Sequence, residues 1–100
     1  MTTNVNIKID QNMNMKELAL KLHNTYKNNS KVRLILDTTG NNVTKESVTK
    51  FKAVFDRFEK QADEKLVETI IIVDGKLKRM MMSAFIKVFN TKGKVKVVEK

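Results

Sequence analysis

Val32-Arg33-Leu34-Ile35-Leu36-Asp37-Thr38-Thr39-Gly40 is the stretch that decides the fold. Its first five residues are apolar at all but one position. A short, nearly continuous apolar run reads as a central strand. Asp37 closes the run, and Thr38 to Asn42 supply turn chemistry. Thr69-Ile70-Ile71-Ile72-Val73 repeats the pattern, and its β-branched side chains suit a strand. Asp74-Gly75 ends it as Asp37 ends the first.

Residues 38–68 lie between these two strands, and their pattern is helical. Thr44 is a plausible N-cap. Val48, Phe51, Phe55, Phe58 and Ala62 recur at intervals of three and four, so a single helix carries one stripe to a core. Lys52, Asp56, Arg57 and Lys60 make the opposite, solvated side. Two strands joined through a helix of this length form a parallel crossover.

The same logic extends outward in both directions. Upstream, Val5, Ile7 and Ile9 alternate with Asn6 and Lys8, the period of a half-buried strand. Asn14-Met15-Lys16-Glu17 has the spacing of a capping box. Met15, Leu18, Ala19, Leu22 and Tyr26 follow on one helical face, and the helix is expected to stop near Asn28-Asn29 through a left-handed Asn. Downstream, Asp74 is expected to cap a third helix over 77–90. Gly93 offers a turn, and Lys94-Val95-Lys96-Val97-Val98 alternates as a last strand.

The expectation is one domain over residues 1–100, of class α/β. A four-stranded, mainly parallel sheet is built as β-α-β-α-β-α-β, a right-handed superhelix. The inner strands are the most apolar and the outer two the most polar, which places the strands in sequential order. All helices then fall on one face. By alternation the open face would carry Asn6, Lys8, Arg33, Ile35, Ile71, Lys94 and Lys96, and lysines there would also guard the sheet edge.

Charge is concentrated late in the chain. The formal net charge is +9, and residues 76–100 hold eight basic groups against one acidic, or +7 of it. Lys76, Lys78, Arg79, Lys94 and Lys96 are the expected basic surface. Such a field could recruit nucleic acid or an anionic membrane surface. The absence of cysteine removes disulfide and thiolate chemistry and favours an intracellular, cytoplasmic protein. The longest apolar run, Ile70 to Val73, is far too short to span a membrane.

No residue pattern names a reaction. Asp37 and Asp74 stand at the carboxyl ends of the central strands, where open α/β sheets place ligands. Their ordinary duties are to close a turn and cap a helix, and no metal or other cofactor is expected. His23 is the only histidine and has no triad partner in sequence. Glycine is too sparse for a phosphate cradle. The chain is expected not to be an enzyme.

The third helix is the most informative element. Leu77, Met80, Met81, Ala84, Phe85 and Val88 make one broad apolar face, expected to be core. Met82, Ile86 and Phe89 form an adjoining flank that either packs on the neighbouring helix or meets a protein partner, another protein or a second copy in an oligomer.

The order of elements, with the 32–40 stretch leading through a turn into a helix, resembles a STAS domain, the anti-sigma-factor antagonist family. The resemblance implies helices on one side of the sheet and a regulatory protein–protein interaction. It also implies a partner site at the loop and start of the second helix: Thr39, Glu46 and Ser47. The family's Asp-Ser-Ser-Gly falls on Lys45-Glu46-Ser47-Val48, so only Ser47 matches. Its phosphorylatable serine falls on Glu46, or on Ser47 if the loop is shifted by one.

Overall fold

A computed structural model describes residues 1–10, 13–41, 44–89 and 95–100, with the side chains of Phe85, Lys87, Val88 and Phe89 outside the description. Four parallel strands form one sheet: β1 (Thr3–Lys8), β2 (Val32–Asp37), β3 (Leu66–Val73) and β4 (Val95–Glu99). They lie in the order β1-β2-β3-β4, so chain neighbours are sheet neighbours. The fold class read from the sequence is the one observed. The helices are α1 (Met15–Asn28), α2 (Lys45–Asp56), α3 (Glu59–Lys65) and α4 (Lys76–Phe89).

One face of the sheet carries the core. Ile7, Ile9, Val32, Leu34 and Leu36 pack with Leu18, Leu22 and Tyr26 of α1 and Val54 of α2. A smaller cluster of Val48, Val73 and Met82, joined by Ile71, Ile86 and Val97, ties α4 to the other half of the sheet. Strand residues of the opposite parity belong to neither cluster. All four helices therefore cover the same face, as right-handed crossovers in sequential order require.

Four local expectations are corrected. The long second helix is two. The Arg57 and Phe58 N–H groups bond to Val54 and Phe55 carbonyls, three residues back, and this tight turn ends α2. The Ala62 N–H then bonds to Phe58 O and the ladder restarts as α3. Second, the Asn14 side chain accepts from Lys16 N at 2.8 Å, while Glu17 pairs with Lys21, so no Asn14–Glu17 box forms. Third, Asn29 does not turn left-handed. It is extended, and its side-chain amide caps α1 by donating to Thr25 O.

The fourth concerns β3. It begins at Leu66, and its pairing with β2 shifts between Val32 and Arg33, so Val67 is the extra residue of a bulge. Arg33 then faces Glu68, Ile35 faces Ile70 and Asp37 faces Ile72. Ile71 consequently points to the helices, not to the open face. An unbroken run of isoleucines carries no alternation of its own, so its parity is set by pairing. The open face carries Asn4, Asn6, Lys8, Arg33, Glu68, Lys96 and a central patch of Ile35, Ile70, Ile72 and Val98. Lys94 lies outside the described residues.

Candidate functional site

At the carboxyl ends of β2 and β3, two loops are clasped together. The Asp37 carboxylate accepts from the Thr39 hydroxyl at 2.6 Å and the Thr39 N–H at 3.0 Å. Lys8 Nζ reaches Asp37 at 3.4 Å and donates to the Thr39 hydroxyl at 2.9 Å. These bonds, the Thr39 hydroxyl foremost, hold the Asp37 carboxyl below its ordinary range. Asp74 is not a helix cap. Its carboxylate meets Lys78 Nζ at 3.1 Å and accepts from the Gly40 N–H at 3.2 Å. Lys78, then Gly40, lower its pKa too. Gly40 adopts a φ of 84°, which glycine tolerates without strain, and this turns its N–H toward Asp74.

Both carboxylates are thus occupied by donors of their own chain. Among the described residues no group of three His, Cys, Asp or Glu side chains stands close enough to hold a metal ion. The arrangement ties the Thr39 loop to the start of α4.

The start of α2 is built by a reciprocal cap. The Thr44 hydroxyl accepts from Ser47 N at 3.1 Å, and Ser47 Oγ accepts from Thr44 N at 3.3 Å. The Ser47 hydroxyl is therefore half-buried and engaged in holding the helix end. Glu46 is exposed and pairs with Lys50 at 3.2 Å. Thr39, by contrast, is fixed within the clasp.

α4 is oriented opposite to the sequence-based expectation. Met82 is buried and Ile86 half-buried, both facing the sheet. Met82 is a core residue, not a surface one, and the Phe89 side chain lies outside the description. Four of the six residues expected as core face outward: Leu77 is 71% exposed, Met80 58% and Met81 36%, and Ala84 is exposed with them, while the side chains of Phe85 and Val88 lie outside the description. A helix this apolar has two candidate inward faces, and packing against Val48, Val73 and Val97 selected the narrower. Of the basic residues, Lys76 and Lys96 make no ion pair among the described residues. Lys78 is held by Asp74, and Arg79 Nε pairs with Glu99 at 2.8 Å.

Between α2–α3 and α4 lies a cleft of about 380 Å³. Its floor is Leu36, Thr69 and Ile71, and its walls include Phe51 and Phe55 from α2 and Met82 and Ile86 from α4. Tyr26 of α1 lines it, and among the described residues Lys52, Asp56, Glu59 and Asp63 are its charged lining. Sequence reasoning missed this cleft because periodicity assigns a side chain to a face but says nothing of whether two neighbouring helices close over it.

The chain matches no protein-family model, no curated protein and no solved structure. Among the described residues no helix is long and apolar enough to cross a membrane.

Proposed function

We propose that this chain is a non-catalytic, regulatory interaction module of STAS-like fold that docks a protein partner through the outward face of α4. The observation that carries this reading is the row of Leu77, Met80, Met81 and Ala84, exposed at i, i+3, i+4 and i+7 spacing on one side of a 14-residue helix. Such a row is the anchor pattern by which amphipathic helices meet grooves, and methionines adapt to irregular surfaces. The clasped Thr39 loop extends the same end of the molecule through the Gly40–Asp74 bond. Glu46 offers a solvent-facing carboxylate in the first turn of α2.

Lys76, Lys78 and Arg79 border the apolar row, so the matching surface is apolar with an acidic rim. Two copies meeting through this face would oppose like charges, which favours a different protein over a second copy. The double variant Leu77→Ser/Met80→Ser tests the reading. Capture of an acidic partner should be lost while the denaturation midpoint stays close to wild type. Undiminished capture by this variant rejects the face. Light scattering at low and high salt shows whether the chain pairs with itself instead.

A second reading, binding to nucleic acid, is favoured by one observation: Lys96, which makes no ion pair among the described residues, stands on the open sheet face beside Ile70. That face presents no aromatic ring on which a base could stack, so any contact is with phosphates. Oligonucleotide anisotropy with Lys96→Gln measures it. Loss of one phosphate contact flattens the salt slope by about one. An anionic membrane would bind in the same salt-sensitive way, and vesicles of anionic lipid distinguish it.

A further inference from the structure

We propose that the cleft between α2–α3 and α4 binds a small, uncharged, apolar molecule bearing two hydrogen-bonding oxygens, which pair with the hydroxyls of Tyr26 and Thr69. The site is independent of the outward face of α4, since none of Leu77, Met80, Met81 and Ala84 lines it.

The two hydroxyls carry the inference. Tyr26 is only 3% exposed and Thr69 8%. The buried Thr25 and Thr38 hydroxyls each donate to a backbone carbonyl, at 2.8 and 2.7 Å. The Tyr26 and Thr69 hydroxyls make no hydrogen bond among the described residues. No fully buried polar side-chain atom of the described residues lacks a partner. Both oxygens therefore reach open space, and both residues line the same cleft. A hydroxyl withdrawn from water without a partner costs stability. Phe and Val would fill the same two positions without that cost, so the hydroxyls are explained by a molecule that pairs with them.

Size and walls fit such a molecule. A cleft of about 380 Å³ lies in the range that holds drug-sized molecules. Around the two hydroxyls the surface is apolar, with Leu36 and Ile71 on the floor and Phe51, Phe55 and Ile86 at the sides. Those three side residues are half-buried, and each keeps surface that a ligand body would cover. A few placed polar groups within apolar walls are what orients a ligand in a pocket.

The same surroundings decide the charge of the occupant. An ion seated against the floor would exchange its hydration for two neutral hydroxyls, which do not replace it. Burial pushes the Tyr26 pKa up to about 12, so it stays a neutral phenol. Each hydroxyl donates one hydrogen bond and accepts others. A carbonyl and a hydroxyl on one apolar frame satisfy both.

The probes share a naphthalene frame: 6-hydroxy-2-acetylnaphthalene with both oxygens, 2-ethylnaphthalene with neither, and 6-hydroxy-2-naphthoate with a charge. Calorimetry on the full chain measures affinity, and the ring signals of Tyr26, the single tyrosine, report occupancy of the cleft by NMR. One-to-one binding is expected, with the hydroxyketone about tenfold tighter than either other probe. Tyr26→Phe and Thr69→Val keep the shape and remove one hydroxyl each. Each should weaken the hydroxyketone about fivefold and leave the hydrocarbon unchanged. Neither should lower the urea midpoint of the free protein, as loss of a structural hydrogen bond would. Leu77→Ser/Met80→Ser should alter no affinity, which separates this site from the docking face. No saturable binding, a hydrocarbon or naphthoate bound as tightly as the hydroxyketone, a preference that survives both hydroxyl substitutions, or a clearly lowered midpoint in either would overturn the proposal.

Discussion

Thr39 shows how one side chain sets the chemistry of another. Its hydroxyl and its own N–H both donate to Asp37. Thr39→Val keeps the backbone donor and removes the other, so the Asp37 pKa, followed by carboxyl NMR, should rise toward the ordinary value. An unmoved titration would assign the lowering to the Thr39 N–H and Lys8 instead. The sign of the pH effect follows from the direction. A carboxyl lowered in the folded state adds stability above its unfolded pKa of about 3.9 and loses it as pH falls through the folded value. The acid limb of unfolding should therefore begin at higher pH in Thr39→Val. Tyr26 acts at the other end of the scale. Its folded pKa lies above the ordinary tyrosine value of 10.0, so its contribution is full below that value and is lost as pH rises toward about 12. Because it is the single tyrosine, one phenolate absorbance curve reads it directly, and ionisation near 10 in the folded chain would contradict its burial.

Among the elements, α4 separates inward from outward residues by a simple mutational contrast. Met82→Ala removes a buried side chain and should cost roughly 2 kcal/mol, the low end for a core methionine, because an adjacent cleft lets neighbours relax. Leu77→Ser should stay within about 0.5 kcal/mol, as exposed substitutions do. Urea denaturation compares them, and a reversed order would turn the helix around. At the start of α2, Thr44→Ala should cost about 1 kcal/mol for the lost cap. Elements with one polar side were legible in the sequence. β1 fell where its alternation placed it, α1 where its helical spacing did and β2 where its apolar run did, and Thr44 caps as expected. What stayed hidden is what local pattern cannot encode. The Ile70–Ile72 run has no polar residue to fix its parity, and the bulge at Val67 decided it. α4 is apolar on too many sides for a moment to choose one. The break after Asp56 leaves the apolar spacing from Phe55 to Ala62 intact, so the stripe reads straight through it. The clasp was foreseen as two carboxylates at the strand ends, but not their partners. Asp74 was expected at a helix cap and instead holds the neighbouring loop.

At the scale of the whole molecule, the two cores are unequal among the described residues. The main one is made by β1, α1, β2 and α2, with flanking support from α3 and β3. The other rests on Val48, Val73 and Met82. Elements with few buried apolar partners open at lower free energy than the global transition. Native-state hydrogen exchange should therefore find β4 amides exchanging through a smaller opening than those of β2, and equal values would show a single cooperative unit. The strand order has a consequence for how the protein is made. Because every strand pairs with the one synthesised just before it, a ribosome delivers the sheet in the order in which it is assembled. No early segment waits for a late one to find its partner. The larger core is complete in outline before α4 is translated, and the last two elements are laid against a surface that already exists.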